Sequence, residues 1–220
     1  MRYNPNGQTI AVMILLIVVL LLTVKSPRAE TGEKPYKMIC QGVRCDLFLG
    51  KKIEDVEQYE DLLQQISTMQ PQIILIVHLA GVGGSVETLN RLSSAFHATR
   101  AQVYGMVEGD VASAHAMLAM KLRPKLYANP FLIFLFHKPA LENGKTIAQA
   151  CEKYLNLKDR GLSLKDKCIK ELSKQLEVAT EEIIQEVKEF LTPQEQEQLR
   201  QGYDILKTAK ELNIPGLQPL

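Results

Sequence analysis

From about residue 40 to residue 137 the chain alternates between short apolar runs and amphipathic stretches. The runs DLFLG, IILIVHLAG, AQVYGMVEG and FLIFLFH are typical of strands, and IILIVHLAG lacks the polar alternation of a strand with one exposed face. The stretches DVEQYEDLLQQISTM and SVETLNRLSSAF carry apolar residues at helical spacing, and SAHAMLAMKL also favours a helix. Strands that alternate with helices predict an α/β fold with a mainly parallel sheet and right-handed crossovers.

Beyond Asn143 the sequence becomes charged and helical. Strand-like runs disappear, and KDKCIKELSKQLEVATEEIIQEVKEFL has helical periodicity. Thr192 and Pro193 suit an N-cap and the first position of a helix, and GYDILKTAKELNIPG predicts a short strand or turn followed by a last helix. We therefore predict one α/β domain over residues 38–220, with a C-terminal helical arm over about 143–220.

The N-terminus carries an uncharged stretch over residues 3–24, of which residues 10–24 are almost wholly aliphatic. As a helix it would be about 33 Å long, enough to span a hydrocarbon core of roughly 30 Å. The sequence that follows, KSPRAET, is charged and offers poor signal-peptidase sites. We favour an uncleaved single-pass anchor over a removed signal peptide, with residues 1–30 forming the anchor and its linker.

Two features disagree about the side of the membrane on which the domain lies. Basic residues follow the hydrophobic span, which by the positive-inside rule would keep the domain in the cytoplasm. Four cysteines would suit an exported chain with two disulfide bridges, although all four could equally be reduced and partly buried: Cys40, Cys45, Cys151 and Cys168. We favour the extracytoplasmic (periplasmic) side.

Composition and spacing exclude some classes of function. The formal charge of +1 gives no basic field, so no nucleic-acid partner is predicted. The four histidines lack metal-ligand spacing, and no compact Cys/His cluster surrounds Cys40 and Cys45, so neither a metal nor another cofactor is predicted. The sequence contains no Walker motif, so any use of ATP would belong to a partner.

Three motifs, in this order along the chain, could build a hydrolytic site. They are GGSV at residues 83–86, GDVAS ending at Ser113, and HKP beginning at His137. A serine nucleophile needs a base to take its proton and fixed N–H donors to hold the oxyanion. Ser113 begins a predicted helix, whose N-terminus favours negative charge. His137 ends a predicted strand, and its imidazole can exchange a proton near neutral pH.

The order of these motifs resembles that of the proteolytic subunit of Clp protease, in the Clp/crotonase superfamily. The resemblance covers about residues 46–140 well and the tail more loosely. It implies a spiral of strand–helix repeats, assembly into a homo-oligomer, and cleavage of peptide bonds in small or unfolded polypeptides. It also implies that an extended peptide substrate pairs with the strand beyond the glycine pair and with the segment after Gly109.

Carried over residue by residue, the resemblance implies roles for several positions. Ser113 matches the nucleophile and His137 the general base. The amides of Gly84 and Ala114 match the two oxyanion donors. The residues next to Gly84 would bind substrate: Gly83, Ser85 and Val86.

The sequence departs from the family at the loop and at the acid. Gly81 and Val82 stand where the family usually has serine and proline, so we expect a looser loop. The position that corresponds to the family's catalytic aspartate falls at Arg200 or its neighbours. The nearest acids are Glu197 and Asp204, and Asp204 is the candidate for a third triad member. The N-terminal ATPase-docking loop is also replaced, so we expect no partner ATPase.

Two other functions stay open. A serine–lysine dyad, as in the signal peptide peptidase group, would use Lys121 or Lys138 as its base. An inactive scaffold that oligomerises at the membrane would explain why no triad acid is apparent. Acyl-CoA chemistry on the same fold is disfavoured because it would need no serine–histidine pair. We predict that His115 is structural or lines the pocket, and that His78 is buried and hydrogen-bonded.

Overall fold

The computed structural model describes residues 34–139, 147–155 and 162–216. The anchor expected over residues 10–24 lies outside these ranges. Inside them, no helix combines the length and the apolar character needed to cross a bilayer.

Seven strands form one mixed, mostly parallel sheet. In chain order they are β1 (Tyr36–Gln41), β2 (Arg44–Leu49), β3 (Ile74–Gly81), β4 (Gln102–Ala112), β5 (Leu126–Ala128), β6 (Ile133–Phe136) and β7 (Ile205–Thr208). Across the sheet the order is β1-β2-β3-β4-β6-β7, and β5 also pairs with β4. Only the β1–β2 and β6–β7 pairs are antiparallel. The predicted α/β class with a mainly parallel sheet is confirmed.

The described ranges also contain α-helices that follow the predicted pattern. They are α1 (Glu60–Ser67), α2 (Val86–Ala98), α3 (Ala114–Lys121), α4 (Ile147–Leu155), α5 (Leu162–Val187) and α6 (Pro193–Gln201), with 3₁₀ turns at Val56–Tyr59 and Lys188–Phe190. The N-cap of α6 is as predicted, because Thr192 accepts from the Glu195 amide in a capping box. The prediction of a helix after β7 is wrong. Residues 209–213 form turns, because Asn213 has a φ of 52° and Pro215 follows.

One face of the sheet packs against helices to form the core. Leu75, Val77 and Leu79 alternate on this face of β3 and are fully buried with Leu62 of α1 and Leu118 of α3. On the opposite face of β3, Ile76 and His78 are also buried. The strand is therefore covered on both faces, as its unbroken apolar run predicts.

The chain groups into two compact units. The larger, residues 34–144 and 170–220, holds the whole sheet. In it the Cys40–Cys45 disulfide joins β1 and β2 at directly opposite positions. In the smaller unit, the described residues are α4 and the first part of α5, which the Cys151–Cys168 disulfide joins. Of the two alternatives for the cysteines, the structure therefore has the disulfides.

Candidate functional site

Ser113 occupies a sharp turn between the end of β4 and the start of α3. Its backbone has φ 53° and ψ −124°, a conformation that L-residues rarely adopt. The Ser113 amide donates to the Leu135 carbonyl of β6 at 2.9 Å, which holds the turn against the neighbouring strand. Residues 114–120 of α3 are all buried, whereas Ser113 itself is partly exposed. A strand–serine–helix turn of this kind presents the serine hydroxyl at the end of a sheet.

The glycine pair lies directly against this serine. Gly83 has a φ of 107°, and a Cβ on it would overlap Ser113 Cβ and lie 2.9 Å from Ser113 Oγ. Gly84 has a φ of 139°, and a Cβ on it would overlap the Ile53 carbonyl oxygen. Glycine is needed at both positions because of the positive φ and because the backbone passes so close to its neighbours.

A short segment after β2, residues 51–53, pairs with the glycine loop, and we call it the strap. The Val82 amide donates to the Lys51 carbonyl at 2.9 Å, the Ile53 amide to the Gly83 carbonyl at 2.7 Å, and the Ser85 amide to the Ile53 carbonyl at 2.8 Å. These three hydrogen bonds to the strap hold the loop on one side.

These contacts leave two N–H groups available near Ser113. The peptide between Gly83 and Gly84 is trans and planar, so the Gly84 N–H points away from Ile53, opposite to the Gly83 carbonyl. Among the described residues, no hydrogen bond uses the amide of Gly84 or of Ala114 as donor. Both amides predicted as oxyanion donors are therefore unused in the described structure.

His115 contacts the same loop from the protein interior. Its ring is fully buried; Nδ1 accepts from the Gly83 amide at 3.1 Å, and Nε2 donates to the Gly50 carbonyl at 3.0 Å. Burial lowers the pKa of His115 below its ordinary value of 6.5, although the two backbone hydrogen bonds oppose the shift. The structural role predicted for His115 agrees with this geometry.

His137 lies at the same end of the sheet as Ser113. In the parallel β4–β6 register, Ala112 pairs with Leu135, so His137 follows one residue beyond the position opposite Ser113. Neighbouring strands are about 4.8 Å apart, which makes Ser113 and His137 neighbours at this edge. No hydrogen bond joins their side chains in the part of the chain described, but catalytic hydrogen bonds often form only with substrate bound.

The His137 ring has a defined tautomer. Its Nδ1 lies 3.0 Å from the Lys138 carbonyl oxygen. Because a carbonyl can only accept, the neutral ring carries its proton on Nδ1 and has its lone pair on Nε2. This is the tautomer that a general base requires, and here a backbone carbonyl fixes it.

The β6–β7 pairing brings Asp204 beside His137. Phe136 pairs with Ile205 in this antiparallel ladder, so His137 and Asp204 occupy the next position outward. Asp204 is exposed, and among the described contacts it has no hydrogen bond to His137.

Arg200, the residue expected at the position of the family's aspartate, is bound to Glu181 at 2.6 Å and lies 3.6 Å from Glu197. Asp204, rather than Glu197, is the acid that the topology places next to the histidine.

The remaining predicted residues have other surroundings. Ser85 caps α2 by accepting from the Thr88 amide, and Val86 is about half exposed beside it.

The two candidate lysine bases are engaged elsewhere. Lys121 ends α3, the helix that Ser113 begins, and its Nζ pairs with Glu186 at 3.2 Å. Lys138 Nζ donates to the Arg200 carbonyl at 3.3 Å. Neither lysine contacts Ser113 in the described structure.

His78 lies on the sheet face away from the core. It is 8% exposed, and its ring contacts Glu108 at 2.7 Å and Asp46 at 2.9 Å while stacking on Phe48. The buried, hydrogen-bonded role predicted for it is confirmed. Among residues 34–139, 147–155 and 162–216, no group of three or more His, Cys, Asp or Glu side chains is arranged to hold a metal ion.

Sequence reasoning missed three parts of the site: the strap, the contact of His115 with Gly83, and the Lys138 carbonyl. The strap and the Lys138 carbonyl act through backbone atoms, which leave almost no signature in residue types. Gly81 was the one available signal, and it is shared by the strap and the histidine, since a Cβ there would lie 2.5 Å from the Lys51 carbonyl oxygen and 2.8 Å from the His115 ring.

No protein-family model matches this chain, and no curated protein matches it. The resemblance to the Clp subunit therefore depends on the order of the three motifs in the sequence.

Proposed function

We propose that this chain is a Clp-like serine hydrolase that cleaves peptide bonds in small or unfolded polypeptides. The backbone of Ser113 is the observation that carries the proposal. A non-glycine residue at φ 53° and ψ −124° costs about 1–3 kcal/mol, and such strain clusters at active sites because the surrounding structure enforces it there.

In the proposed reaction, Ser113 Oγ attacks the carbonyl carbon of the substrate while His137 Nε2 takes the hydroxyl proton. The resulting oxyanion accepts hydrogen bonds from the Gly84 and Ala114 amides. His137 then gives the proton to the departing amine, and an acyl group remains on Ser113. Water, activated by His137, releases the acyl group and restores the serine.

The proposed substrate is an extended peptide that lies along residues 83–86. Val82 is 72% exposed and Val86 is 48% exposed, so apolar side chains border the glycine pair on both sides. These surfaces favour apolar residues next to the cleaved bond, because each contact would remove apolar area from water.

The finer assignments of fold and location also belong to this proposal. We infer a Clp/crotonase-like spiral whose helical arm supports a homo-oligomer, working without a partner ATPase. We infer that residues 10–24 anchor the chain in a membrane and that the catalytic domain lies on the extracytoplasmic side. The two disulfides support that side, because such bonds persist mainly in oxidising compartments.

A fluorophosphonate probe applied to the full chain tests the proposal. We expect labelling of the wild type, none of Ser113→Ala, and labelling of His137→Ala slowed by about 10²–10⁴-fold. Ser94→Ala and His97→Ala are matched controls, since both residues are exposed on α2, and they should label like the wild type.

A non-catalytic scaffold is the second candidate, and one observation favours it: in the described structure no carboxylate is hydrogen-bonded to His137. Absence of Ser113 labelling would favour the scaffold over the hydrolase. Labelling that is undiminished in His137→Ala would instead point to a lysine base.

A further inference from the structure

The two hydrogen bonds of His115 fix its protonation state by their polarity. The Gly50 carbonyl can only accept and the Gly83 amide can only donate, so Nε2 must carry a proton and Nδ1 must not. The ring is therefore the neutral Nε2–H tautomer. With both nitrogens engaged and no exposed surface, His115 cannot itself exchange a proton with substrate.

We propose that His115, as this neutral tautomer, is a positioning residue that orients the Gly83 peptide and thereby the Gly84 oxyanion donor. This inference rests on the proposed function, since it assigns a task within the same site. His115 acts through the loop and does not touch the reacting atoms.

The loop geometry shows why one imidazole has this effect. Gly83 lies between two anchored peptides: its own amide is held by His115 Nδ1, and its carbonyl by the Ile53 amide at 2.7 Å. Together the anchors fix both dihedral angles of Gly83, which as a glycine has no preference of its own for φ 107°. The Gly84 N–H lies in the same peptide plane as the Gly83 carbonyl, so the strap sets its direction while His115 holds the peptide before it. Without the Nδ1 acceptor, the strap would hold the loop on one side only.

The space around the ring indicates that the loop and His115 are matched to each other. A Cβ on Gly81 would lie 2.5 Å from the Lys51 carbonyl oxygen of the strap and 2.8 Å from His115 Cε1, so glycine at this position leaves room for both the strap and the imidazole. Burial of the ring also lowers its pKa, which keeps it neutral near pH 7.

Turnover of p-nitrophenyl acetate by the full-length chain tests the proposal. His115→Leu removes the acceptor, and we expect kcat to fall by about 10²-fold, as for loss of one oxyanion donor, with KM changed less than about threefold. In His115→Asn the side-chain oxygen takes the place of Nδ1 and should restore kcat to within about tenfold of the wild type. His97→Leu, an exposed histidine on α2, is the matched control and should have no effect.

The failures are distinguishable. If the wild type neither labels with fluorophosphonate nor turns over the ester, the proposed function fails. If the wild type is active and His115→Leu matches its kcat, the positioning role alone is wrong. Loss of kcat that is equal in the Leu and Asn variants would also contradict the acceptor role. If the variants do not fold, ¹⁵N NMR of the wild-type ring decides: a protonated Nδ1 would overturn the inference, and an Nε2–H tautomer would support it.

Discussion

Gly83 and Ser113 are in such close contact that a methyl group on Gly83 would overlap Ser113 Cβ and lie 2.9 Å from its hydroxyl oxygen. We predict that Gly83→Ala slows fluorophosphonate labelling of Ser113 by at least about a hundredfold, since the methyl group would occupy the space beside the nucleophile. The variant should also lose about 1–3 kcal/mol of unfolding free energy, because φ 107° strains any residue with a Cβ.

Gly202→Ala separates the two effects. Gly202 also has a positive φ, 92°, but a Cβ there would meet nothing within 4 Å. Backbone strain should therefore cost similar stability while Ser113 labels at the wild-type rate. Equal labelling of the Gly83 and Gly202 variants, measured beside their urea unfolding curves, would refute the proposed contact role of Gly83.

Much of this arrangement could be predicted from the sequence, because strand–helix alternation places Ser113 and His137 after neighbouring strands. Asp204 is named from the sequence only through the resemblance, because its place beside His137 depends on the antiparallel register of β7, which no local pattern specifies. The strap was equally inaccessible: Lys51 and Ile53 contribute backbone groups, and a backbone group is the same for nearly every residue type.

The burial of His115 should make the free energy of unfolding depend on pH. Because its folded pKa lies below the unfolded value near 6.5, the unfolded chain binds the proton more readily. The stabilisation is therefore complete above pH 6.5 and is lost as the pH falls below it towards the folded pKa. We predict that the unfolding free energy of the wild type falls faster with acidification than that of His115→Asn, by up to about 1.4 kcal/mol per pH unit.

Urea unfolding of both proteins between pH 8 and pH 5 measures this difference, since the shared carboxylates cancel in the comparison. A difference in free energy that does not vary with pH would mean that burial does not disfavour protonation of His115.

Asp204→Asn should have only a small effect on catalysis. The His137 tautomer is held by the Lys138 carbonyl, so the carboxylate is left with a screened interaction across solvent, worth about 0.2–1 kcal/mol. We expect kcat on p-nitrophenyl acetate to fall by less than about fivefold. In serine proteases whose buried aspartate sets the histidine tautomer, the same substitution lowers kcat by about 10⁴-fold. Asp166→Asn, an exposed acid on α5, is the control. A thousandfold loss specific to Asp204 would show that the acid orients the histidine after all.

Replacing Lys121 by methionine should leave Ser113 labelling unchanged. Lys121 ends the helix that Ser113 begins, about 12 Å away at 1.5 Å per residue, and its Nζ is paired with Glu186. This partly exposed pair should contribute no more than about 1 kcal/mol to stability. Labelling rates of Lys121→Met and His137→Ala, compared directly, decide between Lys121 and His137 as the base, and a tenfold or larger loss in the lysine variant would favour the dyad.

Because the strap is part of the site, the site can form only when distant segments of the chain have folded together. Residues 50–53, 81–85, 113–115 and 135–138 are distant in sequence and meet only when β2, β3, β4 and β6 have paired in their final order. A partly folded chain, in which these strands have not paired, contains the serine and the histidine but lacks the positioned N–H groups that would bind an oxyanion. Under the proposed function, hydrolysis would therefore begin only once the sheet is complete.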